Sequence, residues 1–272
     1  MNFLLKNRVL LFIFILFSAC SPKENGAQER LNNARKFYSE KKYDLAKKEI
    51  DSIKIIYPKS FDQIKQGLVL LDSVRRGENL FDISFSDSVI AVRQKTLDSL
   101  KRYFVYQIDK KYQDKGFYIA KEIASSGQIT ATTLRSGVNE DGSIYLESIF
   151  IGSQKHNRIK VASKESHKES LTLSNADDGF VHRFSNLGNQ YETLRFTGAS
   201  ENGVSQFVAE NKNKALTITL DGQGKYSYVL SQPIKNAIEK AYNLSNIIQE
   251  LDSLKTKKEQ AEYKNYYLDN KF

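Results

Sequence analysis

The sequence predicts an α+β protein: an N-terminal helical hairpin, then long helices flanking an antiparallel β-sandwich or up-and-down barrel. Three observations lead there. Apolar residues recur every three or four positions on both sides of a central segment. Between residues 116 and 231 the period drops to two, and turn-forming words separate the runs. The segment before residue 27 has the pattern of neither region. At 272 residues, 40% hydrophobic and 27% charged, the chain has globular composition and enough length to bury a core.

The first element is an address. Lys6 and Arg8 precede an apolar run from Val9 to Phe17, followed by Ser18, Ala19 and Cys20, the only cysteine. A membrane-crossing helix needs about 20 apolar residues, roughly twice this run. A basic start, a short apolar core and small residues predict a secretory signal. Ser18-Ala19-Cys20 resembles the lipobox of bacterial prolipoproteins, with Phe17 standing where leucine is usual. The resemblance implies that residues 1–19 are a signal peptide that is removed. Residues 20–26 are then a lipidated cysteine and a tether. Cys20 is the expected lipid-attachment site, holding the chain to a membrane through about 0.8 kcal/mol per buried CH₂ of its acyl chains. Ser21 resembles the outer-membrane-sorted type, and Lys23-Glu24 faintly resembles a surface-export tether. The expected location is therefore the cell envelope, lipid-anchored to the outer membrane, with the periplasmic and surface faces both open. With its one thiol consumed, the mature chain has no disulfide and no cysteine metal site. Nucleic acid, ATP and NAD are not expected partners at that address, and no cofactor is expected.

Residues 27–83 are expected to be helical. Leu31, Ala34, Phe37 and Tyr38 share one helical face, and Leu45, Ala46, Ile50, Ile53 and Ile56 share another. Ser39–Lys42 reads as the turn between them, and Pro58 as the end of the second helix. This pair is similar to one tetratricopeptide (TPR) repeat. Ala34 and Phe37 match positions of its first helix, and Ala46, Ile50 and Pro58 match positions of its second. One repeat cannot cover its own apolar face. A capping helix is accordingly expected over Phe61–Arg75, ended by "RRGEN".

A long helix is expected over residues 84–115, on Val89, Val92, Leu97, Leu100, Phe104 and Ile108. Pro233 opens another, the C-terminal helix of residues 232–272, on Leu244, Ile247, Leu251 and Leu254. The simplest topology packs it back on 84–115. A homodimeric coiled coil is the competing arrangement. Between them, residues 116–231 hold eight or nine alternating runs, among them "SIYLESIFIG", "YETLRFTG", "VSQFVAE" and "ALTITLDG". "NEDGS", "NADDG", "SNLGN", "ASENG" and "DGQGK" read as turns.

Charge is uneven. Residues 27–115 carry nineteen basic against thirteen acidic side chains, whereas residues 116–231 carry twelve of each. The helical face nearest the lipid is thus suited to anionic lipid or envelope polymer.

No catalytic constellation stands out. The three histidines, His156, His167 and His182, show no helical metal-ligand spacing, so no metal site is expected. There is no cysteine nucleophile and no G-x-S-x-G elbow. "DGQGKYS" joins two strands rather than opening a helix, so it reads as a hairpin turn, not a phosphate loop. Asp177 and Asp178 point to opposite faces if extended. The expected function is a non-catalytic envelope lipoprotein whose helices present a β binding module to an envelope protein or glycan. Two alternatives stand beside it. One is an envelope hydrolase using His156 or His182 with nearby acids. The other is a structural assembly factor acting through its helices.

Overall fold

The computed structural model describes residues 24–111, 113–125, 130–165, 167–173, 181–186 and 188–270.

 Cys20, the signal region and the "NADDG" turn with Asp177 and Asp178 lie outside the described residues. The protein is α+β: the described residues form six α-helices and two antiparallel sheets, and no closed barrel. The barrel alternative is thereby corrected: the strands divide between two open sheets. The chain divides into two compact units, residues 1–86 with 257–272, and residues 87–256.

In the first unit, α1 (Glu24–Ser39) and α2 (Tyr43–Ile56) form a hairpin. Ala34, Ala46 and Ile50 are buried together, as are Ala27, Leu31 and Ile53. Leu45 and Ile56, expected on the inner face, are instead exposed, because the contact stripe runs through Ala46, Ile50 and Ile53. The turn is a Schellman arrangement: the Lys42 N–H donates to the Phe37 carbonyl and the Lys41 N–H to that of Tyr38. Lys41 occupies the left-handed region with φ 57°.

The third helix, α3 (Phe61–Lys101), corrects two expectations. It does not stop at "RRGEN". Gly77 lies mid-helix, where a Cβ would stand 2.9 Å from Cε2 of Tyr38, so glycine there serves close packing and not a turn. Nor does helix fill residues 84–115. It ends at Lys101, and β1 (Phe104–Gln107) follows and pairs with β2 (Phe117–Ala120). Phe104, Tyr106 and Ile108 fit a period of two as readily as Phe104 and Ile108 fit a period of four, and the aromatic, β-branched run resolves to strand.

The second unit continues with α4 (Lys121–Ala124), β3 (Thr133–Asn139), β4 (Ile144–Ile151), β5 (His156–Ser163), β6 (Lys168–Leu171), β7 (Val181–Asn186) and β8 (Asn189–Thr197). Then come α5 (Val204–Glu210), β9 (Leu216–Gly222), β10 (Lys225–Val229) and α6 (Gln232–Asp269), the last contributing to both units. One sheet has the order β1-β2-β3-β4-β8-β7 and the other β10-β9-β5-β6. A single core cluster draws on both, with Leu134, Leu146, Leu194 and Phe196 from the first and Ile159, Val161, Leu216 and Ile218 from the second. "VSQFVAE", read as a strand, is α5. Val204 and Val208 lie one helical turn apart and are both buried in that core, and the Glu201 carboxylate accepts the Gly203 and Ser205 N–H groups at the helix start. A second cluster joins Leu97 of α3 to Ala237, Ala241, Leu244 and Leu251 of α6, and Arg93 bonds Glu250 at 2.9 Å. The β3–β4 turn also rests on α6, where the Ser245 hydroxyl and the Gln249 amide donate to the Gly142 carbonyl.

Candidate functional site

The histidines do not act as a group. His167 is exposed in the turn before β6, with φ 50°. His182 is exposed on β7, its ring 5.5 Å from that of Phe184. His156 is different: it is only 5% exposed. Its Nδ1 lies 2.5 Å from the Glu192 carboxylate and its Nε2 lies 2.5 Å from the Ser148 hydroxyl. The His156 backbone N–H and the Arg183 guanidinium also donate to Glu192, at 2.9 and 2.7 Å. Strand alternation explains the meeting. Ser148 sits between Leu146 and Phe150 on the core face of β4, and Glu192 precedes Leu194 and Phe196 on the core face of β8. A register shift at the start of β5 sets His156 against Gly222, whose missing Cβ would lie 2.6 Å from the His156 Cα.

Burial pushes the Glu192 carboxyl upward, but the donors from His156 and Arg183 outweigh it and hold the group below the usual glutamate range. An ionised Glu192 only accepts, so Nδ1 of His156 carries a proton towards it, and in the neutral imidazole Nε2 then accepts from the Ser148 hydroxyl. That is the connectivity of a serine–histidine–acid triad. Access is what it lacks. Ser148 is fully buried, with Leu134 and Leu194, also fully buried, as its neighbours on the adjoining strands. The cavity touching His156 measures ≈ 10 Å³, about the room of one water. A larger one of ≈ 200 Å³ reaches Glu192 and Arg183 without being lined by Ser148. Among the described residues no group of histidine, cysteine, aspartate and glutamate is placed to hold a metal.

On the opposite face of the same sheet lies a recess of ≈ 340 Å³. Arg135, Glu147 and Arg195 stand directly opposite one another on β3, β4 and β8. Glu147 pairs with Arg195 at 3.2 Å. Arg135 makes no ion pair or hydrogen bond with the described residues. The neighbouring row is aromatic. Tyr145 lies over Gly137, where a Cβ would stand 2.3 Å from the tyrosine oxygen. Arg195 covers the Tyr145 ring at 4.2 Å, and Phe117 meets it edge-on at 6.0 Å. Burial pushes the Tyr145 hydroxyl up to about 12 against the pull of Arg195, so it stays a donor.

No family model, no curated protein and no solved structure matches the chain.

The helical unit has its own groove of ≈ 540 Å³, lined by Lys47, Arg75, Glu78, Tyr263 and Tyr267 among others. Two of its cations are engaged: Lys47 pairs with Asp44 and Glu78, and Arg75 with Asp72, while Lys264 also lines the groove. Sequence reasoning named neither Ser148, Glu192 nor the Arg135 row. Their signal was present in the strand phase: a serine and a glutamate at core positions, and Arg-Glu-Arg at facing positions.

Proposed function

We propose that the chain is a non-catalytic envelope lipoprotein, held by lipid on Cys20, whose helices carry the β unit as a binding module for an envelope protein or glycan. The lipobox-like "SAC" supports the address. The α1–α2 hairpin is consistent with a TPR-like pair, and the shared core of the two sheets is consistent with a β-sandwich. The observation that carries the binding reading is the recess on the six-stranded sheet, lined by Arg135, which pairs with none of the described residues, and by the half-buried Phe117. Ser148 weighs against the hydrolase reading, since a nucleophile must come within about 3.5 Å of a substrate carbonyl.

The test is crosslinking and affinity purification of the native lipoprotein from the envelope, followed by mass spectrometry. A saturable envelope partner, enriched over a Cys20→Ser control that is not anchored, is expected. Recovery no better than that control would defeat the proposal.

A further inference from the structure

We propose that the turn between α2 and α3 is a second membrane contact, seating Ile55, Ile56 and Phe61 in the bilayer that holds the Cys20 lipid. This rests on the lipid anchor proposed above and adds the surface that meets the membrane.

The turn displays apolar side chains because the helix before it has already filled its inner face. α2 buries Ala46, Ile50 and Ile53, and Tyr57 continues that stripe, packed on the cluster of Ala27, Leu31 and Ile53. Ile55 and Ile56 fall on the other side of the last helical turn, 77% and 49% exposed. The Ser60 N–H donates to the Tyr57 carbonyl at 3.0 Å, closing a tight turn through Pro58 and Lys59. Phe61, the first residue of α3, then stands 74% exposed. Single exposed apolar residues are ordinary, but three large ones within residues 55–61 form a patch. Lys54, Lys59 and Lys65 are exposed beside it. Such a surface suits the boundary between headgroups and acyl chains, about 5–10 Å deep, where lysine stems lie on apolar surface and their ammonium groups reach phosphate.

Position and charge name a bilayer as the occupant. Gly26 lies against the Tyr57 ring with no room for a Cβ, and Ile64 packs on the cluster of Ala27, Leu31 and Ile53. The start of α1, the end of α2 and the start of α3 therefore share one end of the helical hairpin, and Ser39–Lys42 forms the other. Gly26 is six residues after Cys20, a span of at most about 22 Å when fully extended. The lipid holds this end of the hairpin within that reach of its own membrane, and a contact tied so closely to its surface needs little area to persist. Glu29, Asp51 and Asp62, also exposed near this end, offset the three lysines. No excess charge is left there for an acidic polymer to follow, and the apolar patch is what remains to be covered.

Acylation consumes the only cysteine, so an introduced one is the single free thiol of the mature lipoprotein. Purified Ile55→Cys, Phe61→Cys and Ser39→Cys forms are labelled with a polarity-sensitive maleimide dye. They are then reconstituted in vesicles of phosphatidylcholine and phosphatidylglycerol in equal parts. Brominated acyl chains should quench the dye at positions 55 and 61 severalfold more than at 39, an exposed position at the far end of α1. The difference should survive about 1 M salt, which screens charge contacts beyond about 3 Å. Phe61→Asp should return the dye at position 55 to water, a response that a dye inserting by its own apolarity would not give. Equal quenching at all three positions, quenching lost in salt, or indifference to Phe61→Asp would overturn the proposal. If the wild type itself takes up dye at Cys20, the lipid anchor is absent and the second contact falls with it. If the wild type takes up none while positions 55 and 61 stay in water, the second contact falls and the anchor stands.

Discussion

Glu192 is the side chain on which most depends in the β unit. It is 3% exposed and accepts from the His156 ring, the His156 backbone and Arg183, so three strands meet at one carboxylate. Glu192→Gln keeps the shape but removes the charge that these donors address, and should cost about 2 kcal/mol in urea unfolding. The pH dependence has a definite sign. The folded carboxyl titrates below its unfolded value of about 4.3, so its stabilisation is complete above that value and is lost as pH falls through the folded one. The wild type should therefore lose stability between pH 5 and 3 (approximate bounds) more steeply than Glu192→Gln. A fluorophosphonate probe should leave Ser148 unlabelled, and labelling abolished by Ser148→Ala would restore the hydrolase reading. These residues were legible only in part. Their spacing along the chain says nothing, and it is the alternation of "YETLRF" and "ESIFI" that turns Glu192 and Ser148 inward. An acid in the core phase of a strand requires a buried partner, and that requirement could have been read.

At the scale of elements, the sequence marks a break at Ser39–Lys42 and the structure gives it a form. Lys41 holds a left-handed conformation that costs a residue with a Cβ about 1 kcal/mol. Lys41→Gly should stabilise the helical unit by roughly that amount in thermal unfolding, and Lys41→Val should destabilise it further. Glycine misled in the opposite direction at Gly77, where it admits Tyr38 to the surface of α3. Breaker residues signal turns only when nothing large needs their empty side. The apolar period was reliable for α1, α2 and α6, whose repeats are long. It failed over "VSQFVAE" and Phe104–Gln107, segments short enough for helix and strand periods to fit alike.

At the scale of the molecule, no helix among the described residues is long and apolar enough to cross a membrane. The proposed anchor rests on Cys20, and metabolic palmitate labelling should be lost in Cys20→Ser; labelling that persisted would remove the lipoprotein reading. The α+β class was legible because the change of period is global, whereas the choice between two sheets and a closed barrel was not, because alternation alone does not say which strand a given strand joins. That pairing has a kinetic consequence. The hairpins β3–β4, β7–β8 and β9–β10 are local and close on a microsecond scale. The pairs that unite them, Leu146 with Phe196 and Lys160 with Thr219, span about 50–60 residues and must close long loops before they gain anything. Refolding of the β unit is accordingly a matter of milliseconds to seconds, with finished hairpins waiting for one another. A chain delivered unfolded across a membrane would pass that interval with β4, β5, β8 and β9 still unmated, and this is the stage at which it most needs an escort.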